Sequence, residues 1–341
     1  MAKRISITII AICIVLLLGT IASLSLLNPQ NKREAICRQW GIPYKAVIAH
    51  RGASFYAPEE TEPAYLLARD LGADYLEADI QRTKDGVLIA LHDDTLERTT
   101  NVKTVFPGRE KEYVEHFTLA ELRTLDAGSW FNAAFPERAR KGYVGLKILT
   151  LEDILRIAKG GAHKPGIYLE IKSPKRFPGI AAQLVETLTR HGWLSRDAAK
   201  SSSGQAEHAA GGRSSGSVIL QSFDPECVED FARLAPQVPR LYLYDRDEIR
   251  ERGWDTILTT AIGFKAGLGP SGYVATPWKN SKGHSAGLFI HVYTINKSWQ
   301  VHLLTLFGAD GFFTDRADML LESYGRKPLG SINEILQKHG Y

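Results

Sequence analysis

A chain of 341 residues, 44% of them hydrophobic, has room for one large or two ordinary domains around a packed core. Its net charge of +4, with no concentrated Lys/Arg stripe, excludes nucleic acid as the expected partner. Of the three cysteines, Cys13 lies in an apolar segment, and Cys37 and Cys227 are expected to be unpaired.

The N-terminus is specific. Lys3 and Arg4 precede an apolar run over residues 5–27 that contains no charged side chain. That length spans a bilayer, which takes about 20 residues, and also fits a secretory signal. With no clear A-x-A cleavage site, an uncleaved anchor is favoured over a cleaved signal. The positive flank predicts an extracytoplasmic location for the bulk of the chain. The expected organisation is a signal peptide or membrane anchor over 1–27, a linker over 28–44 that is polar with the start of a helix over 28–38, one barrel domain over 45–325 and a tail over 326–341.

From residue 46 onward, strand-like runs alternate with helical patterns, the order of βα units on a parallel sheet. Strands are expected at 46–50, 74–80, 87–92, 167–172, 218–222, 240–244, 289–295 and 311–314, with a short extra one at 273–276. Helices are expected at 62–71, 151–158, 179–190, 226–234 and 297–307, the second opened by a capping box of Thr150 and Asp153. The count predicts an α/β fold, a TIM-type (β/α)8 barrel with a small insertion after the third strand, preceded by an N-terminal hydrophobic helix. The insertion, between His92 and Thr150, is too long for a plain βα loop. It carries a short helix at 118–124 and several aromatics, and such loops commonly serve function. Residues 201–217, rich in Ser, Gly and Ala, read as a flexible surface loop. Gly211-Gly212-Arg213-Ser214 within it lacks the strand and Lys of a phosphate-binding loop.

Chemistry concentrates between Ala49 and Thr100. In Tyr75-Leu76-Glu77-Ala78-Asp79-Ile80, a strand would place Leu76, Ala78 and Ile80 on one face and Glu77 and Asp79 on the other. Inward acids in a barrel are costly to bury unless they bind a cation or are paired. Glu170 and Lys172 repeat the alternation, and a third carboxylate beside the first two suits a hard divalent ion such as Ca2+ or Mg2+. His50 and His92 supply two imidazoles for acid–base work, so the stretch holds what metal-assisted hydrolysis needs. The remaining histidines, His291 among them, stand in no comparable context.

Six words in order carry a family resemblance: His50-Arg51-Gly52-Ala53, Pro58-Glu59-Glu60-Thr61, Glu77-Ala78-Asp79, Lys84-Asp85-Gly86, His92-Asp93 and Arg98-Thr99-Thr100. Together they resemble the signature of the glycerophosphodiester phosphodiesterase family. Downstream, Glu170-Ile171-Lys172, Gln221-Ser222-Phe223-Asp224 and Gly311-Phe312-Phe313-Thr314-Asp315 are similar to later family strands. The resemblance implies metal-dependent hydrolysis of a small-molecule glycerophosphodiester to sn-glycerol 3-phosphate and an alcohol. It implies metal ligands Glu77, Asp79 and Glu170, acid–base residues His50 and His92, and phosphate-facing cations Arg51 and Lys172. It also implies attack by the glycerol 2-hydroxyl first, giving a cyclic phosphate that water opens.

Three positions depart from the family pattern. Glu60 stands where Asn is usual, Leu149 where Pro is usual, and Tyr293 where Trp is usual. Glu60 is expected to add negative charge near the substrate lip, and Tyr293 to alter that lip. Two alternatives compete. A lysophospholipase D or sphingomyelinase-D-like enzyme would use an apolar lip of Trp130, Phe131, Phe135 and Trp278. A catalytically inactive, membrane-anchored binding protein would show no turnover at all.

Overall fold

A computed structural model describes residues 26–195 and 215–341. The apolar run expected to be an anchor lies almost wholly outside the described residues, as does most of the Ser/Gly/Ala-rich stretch. Among the described residues, no helix is long and apolar enough to cross a membrane.

Eight parallel strands form the barrel predicted from sequence. In chain order the strands are β1 (Ala46–Ala49), β2 (Tyr75–Arg82), β3 (Leu88–Ala90), β4 (Gly166–Ile171), β5 (Val218–Ser222), β6 (Arg240–Tyr244), β7 (Gly267–Pro270), β8 (His291–Val292) and β9 (Gly311–Thr314). Neighbours run β7-β6-β5-β4-β2-β1-β9-β8, and parallel bridges from Leu268 to Ile290 and from Ser271 to Tyr293 close the ring.

Two strand assignments need correction. The segment expected at 87–92 is not a stave: β3 pairs antiparallel with β2 and lies off the barrel path. The eighth stave is β7, with the sequence Gly-Leu-Gly-Pro, and not the neighbouring 273–276, which forms no strand. A segment without branched or aromatic residues at three of four positions gives no strand signal. Packing explains its glycines. A Cβ on Gly267 would meet the Phe289 ring at 2.6 Å, and one on Gly269 would meet Leu241 at 2.6 Å.

Side chains alternate across each stave, as a pleated strand requires. Leu76, Ala78, Ile80, Ile167, Leu169 and Ile171 pack outward against the helical layer. Tyr75, Tyr168, Ile219, Leu241, Phe289 and Phe313 pack inward in a second cluster. Residues 28–44, expected to be a linker with the start of a helix, contain the helix Gln30–Gln39, whose Ile36 and Cys37 join that inward cluster. Arg33 fixes it through Nε to Asp310 Oδ1 at 2.9 Å, a fully buried pair. This helix covers the N-terminal end of the barrel. The expected tail also docks: Ile332–Lys338 buries Ile335 and Leu336, and Tyr341 donates to Glu62 Oε2 at 2.9 Å. Cys37 and Cys227 are free and buried, and burial pushes the Cys227 thiol up to about 12.

Helix Glu62–Leu71 follows β1 as expected, with Pro in its first turn and Gly72 ending it in the left-handed region at φ 97°. The predicted capping box at Thr150 and Asp153 opens Leu151–Lys159. A second box at Thr118 and Glu121 opens the short helix Leu119–Leu122 of the insertion. The insertion's aromatics turn inward on themselves. Phe131 and Tyr143 are fully buried beside Ala57 and Ala64, with Trp130 and Phe135 half-buried against them. An apolar lip that includes Phe131 is therefore not formed.

Candidate active site at the barrel mouth

Glu77 and Asp79 project from β2, and Glu170 from β4, where it stands in register with Asp79. All three are buried, and one oxygen from each lies within 4.8 Å of the others. The period-two placement read from sequence thus brings the three carboxylates together. They sit toward the C-terminal ends of the strands, the end where barrels of this kind carry chemistry.

The turn after β1 supplies two more residues. Arg51 and Gly52 both adopt positive φ, 56° and 84°. A Cβ on Gly52 would lie 2.6 Å from the Ala64 backbone, so the tight reversal requires glycine. The reversal aims the Arg51 backbone N–H at Glu77 Oε2, 2.8 Å away. Its side chain then spans Asp79 Oδ2 at 3.0 Å and Glu59 Oε1 at 2.9 Å. From the other side Lys172 Nζ reaches Glu170 Oε1 at 2.9 Å and Asp79 Oδ1 at 3.9 Å.

Each histidine is backed by a carboxylate through Nδ1. His50 Nδ1 lies 2.7 Å from Asp315 Oδ1, and Asp315 is held by Asn296 Nδ2 at 2.6 Å and Ser54 Oγ at 3.1 Å. His92 Nδ1 lies 2.7 Å from Asp93 Oδ1. Arg98 grips Asp93 at 2.6 and 2.9 Å and Glu59 at 2.7 and 2.9 Å. The chain His92, Asp93, Arg98, Glu59, Arg51, Asp79 is therefore continuous from one imidazole to the acidic cluster. The loop carrying His92 is pinned by Gln81, which donates to the Leu91 and Asp93 carbonyls at 2.7 and 2.8 Å. With Nδ1 engaged, Nε2 of both rings is left for chemistry, the arrangement that fixes an imidazole's orientation.

Burial and the neighbouring charges of Asp79, Glu60 and Glu170 push the Glu77 carboxyl well above the usual carboxylate range. Burial likewise raises Glu170, partly offset by Lys172. Burial acts the same way on Asp79, but Lys172, Arg51 and the two histidines outweigh it and hold Asp79 low. Hard oxygen donors crowded in a dry site, with their own charge only partly offset, fit a divalent cation of the Ca2+ or Mg2+ type. Gln221, beside Glu170 in register, donates to Glu77 Oε1 at 3.3 Å and leaves its own buried Oε1 without a hydrogen bond.

Glu60 does not sit at the lip as expected. It is buried behind β2, where Oε1 accepts from the Asp79 backbone N–H at 2.9 Å and Oε2 pairs with the Tyr65 hydroxyl. Burial and the charge of Asp79 raise its carboxyl, so it acts as a backbone clamp more than as surface charge. Tyr293 does lie at the mouth, packed edge-to-face on Phe223 with ring centroids 5.8 Å apart. Asp315, Asp93, Glu59 and Arg98 lie inside the family words, where sequence alone assigns them no role, and no sequence signal points to Asn296.

The glycerophosphoryl diester phosphodiesterase family model matches residues 50–319. A glycerophosphodiester phosphodiesterase of Bacillus subtilis (strain 168) is 37% identical over 273 residues, covering 80% of this chain and 84% of its own. A solved glycerophosphodiester phosphodiesterase from Agrobacterium tumefaciens superposes with a TM-score of 0.58 at 26% identity, covering 82% of this chain and 99% of that one. A phosphodiesterase from Oleispira antarctica, solved with its product sn-glycerol-3-phosphate, shares the fold at a TM-score of 0.64 and 24% identity, covering 83% and 97%. The acidic cluster and its two carboxylate-backed histidines fall inside the matched residues, and the chain belongs to the glycerophosphoryl diester phosphodiesterase family.

Proposed function

We propose that the chain hydrolyses glycerophosphodiesters to sn-glycerol 3-phosphate and an alcohol, with a divalent cation, Ca2+ or Mg2+, held by Glu77, Asp79 and Glu170. The observation that carries this reading is the convergence of those three buried carboxylates beside two cations and two oriented imidazoles. A bound cation supplies Lewis-acid polarisation of the phosphoryl oxygens and a template for the glycerol hydroxyls. Arg51 offers a fork of donors and Lys172 a point charge, and both offset charge on the phosphate. One histidine takes the proton from the attacking hydroxyl and the other gives a proton to the departing alcohol, so the pair is restored once water has opened the cyclic ester. Asp315 and Asp93 hold each ring in one tautomer and stabilise it when protonated.

The apolar lip that would suit the lysophospholipid reading loses Phe131 to the insertion's own core. The charged run before residue 5 and the apolar run after it support an anchored enzyme acting outside the cytoplasm. Glycerophosphocholine, glycerophosphoethanolamine and lysophosphatidylcholine, each assayed with Ca2+, Mg2+ or EDTA, test the reading. Turnover of the first two, abolished by EDTA, is expected. Turnover of lysophosphatidylcholine alone would shift the substrate class, and full activity in EDTA would remove the metal.

A further inference from the structure

From residue 256 to residue 309 the chain contains no Asp or Glu and four lysines, Lys265, Lys279, Lys282 and Lys297, although acids and bases nearly balance overall at 38 and 42. This stretch includes two consecutive helices, Pro277–Ser285 and Ser298–Leu306, which lie side by side. Asn28 Nδ2 joins them, donating to the carbonyls of Pro277 and Phe307. Their outer surface carries side chains that a soluble face seldom combines. Trp278 and Trp299 are each 62% exposed, and Tyr273, in the loop between β7 and the first helix, is 86% exposed. Leu303, one turn beyond Trp299 on the same helix face, is exposed as well. A scattered exposed apolar residue needs no explanation, but such a group on adjacent helices marks an interaction surface.

The chain's own geometry says what covers it. Ser281, one turn from Trp278, donates to the Leu27 carbonyl at 2.9 Å. Leu26 and Leu27 are exposed at this point, so the apolar sequence of residues 5–27 joins the barrel on this same face. We infer that the face rests on an anionic lipid surface. Tyr273, Trp278 and Trp299 would lie at headgroup level, where amphipathic rings are favoured, and the exposed Lys282 and Lys297 over the anionic headgroups, while Lys279 is stacked over the Trp254 ring. The acids that flank the face stand on neighbouring helices, Arg246–Arg252 and Ala317–Ser323. A protein partner fits less well, because lysine is depleted in protein interfaces. Trp278 and Trp299 occupy the first turns of helices that follow β7 and β8, so the mouth rim on this side would sit beside the bilayer.

The full chain, reconstituted in phosphatidylcholine vesicles containing phosphatidylglycerol with acyl chains brominated near the headgroup, tests this through tryptophan emission. The wild type should be quenched, less so in high salt or in phosphatidylcholine alone. The double variant Trp278→Phe/Trp299→Phe should lose most of the quenching, while hydrolysis of soluble glycerophosphocholine, which reports an intact fold, stays unchanged. Lys282→Glu/Lys297→Glu should reduce quenching on the anionic vesicles only. An unquenched wild type, or a double variant quenched like the wild type, overturns the inference. Unquenched emission with disulfide cross-linking between copies of Trp278→Cys would give the face to a second copy instead.

Discussion

The two ends of the barrel interior are built on the same strands and obey opposite rules. On β2, Tyr75, Glu77 and Asp79 share the inward face; on β4, Tyr168 and Glu170 do. At the closed end Tyr75 and Tyr168 meet edge-to-face with centroids 5.7 Å apart, and Tyr168 meets Phe313 at 4.9 Å. The covering helix adds Ile36 and Cys37 to this layer. Here burial of apolar surface and ring geometry both stabilise the fold. Two residues further along each strand, the inward side chains are carboxylates that repel one another in a dry site. Burial and that repulsion push Glu77 up despite Arg51, and burial above all raises Glu170 despite Lys172. The closed end stabilises the structure; the mouth spends part of that stability on chemistry.

Replacing Glu77 by Gln should give the largest effect. It removes the negative charge and one of the two oxygens, leaving a single oxygen where Glu77 now uses one toward the Arg51 backbone N–H and the other toward Gln221. Turnover should fall to background at low metal and return in part as Ca2+ or Mg2+ is raised, read by titrating the metal in the assay. Unchanged metal dependence would break the assignment of the mouth as a cation site. Next come His50→Ala and His92→Ala, each expected to lower kcat by about two to four orders of magnitude, the range for a positioned acid or base. Neither should recover with added metal, which separates the two classes of residue.

Much of the mouth was legible because two of its acids lie close in sequence and alternate with apolar neighbours. Glu77 and Asp79 could be placed on one face from six residues. Asp315 and Asn296 could not be tied to His50, from which Asp315 is 265 positions distant. That contact exists only because β9 pairs with β1, a closure that no local pattern announces. The Glu59 to Arg98 link fails for the same reason over 39 positions. Glu60 misled by its charge: its side chain turns behind β2, a direction set by its positive φ of 59° and by Tyr65. The stave β7 escaped because its glycines answer to the bulk of Phe289 and Leu241 opposite and carry no strand preference of their own.

The acidic mouth also predicts how stability follows pH. Without metal, Glu77, Glu170 and Glu60 have folded pKa values raised above the unfolded value of about 4.3. The folded state therefore holds protons that the unfolded chain has released, and stability falls as pH rises through the raised values. Asp79 works in the opposite sense, because its contribution is present above its unfolded value and lost only in acid. A cation at about 100 times its Kd should add about 2.7 kcal/mol. Its binding expels the retained protons, so thermal unfolding should show a larger gain near about pH 8 than near about pH 5. An equal gain at both would mean the cluster is already ionised when empty.

The smallest change should come from the closed end, two residues from Glu170 on the same strand face. The Tyr168 hydroxyl lies 3.2 Å from His291 Nδ1, and both side chains are fully buried. Burial lowers the His291 pKa to about 4, which favours the neutral ring at the closed end of the barrel. Tyr168→Phe keeps the ring and its contacts with Tyr75 and Phe313 and removes one hydrogen bond. The net cost should be about 0.5–1.5 kcal/mol, or more if the imidazole nitrogen left behind finds no donor. Denaturant midpoints measure that cost. The value of kcat and the metal dependence should match the wild type, because nothing at the mouth loses a partner. A variant that loses turnover while keeping its denaturation midpoint would show that the two ends are coupled through β4, and the contrast between them would no longer hold.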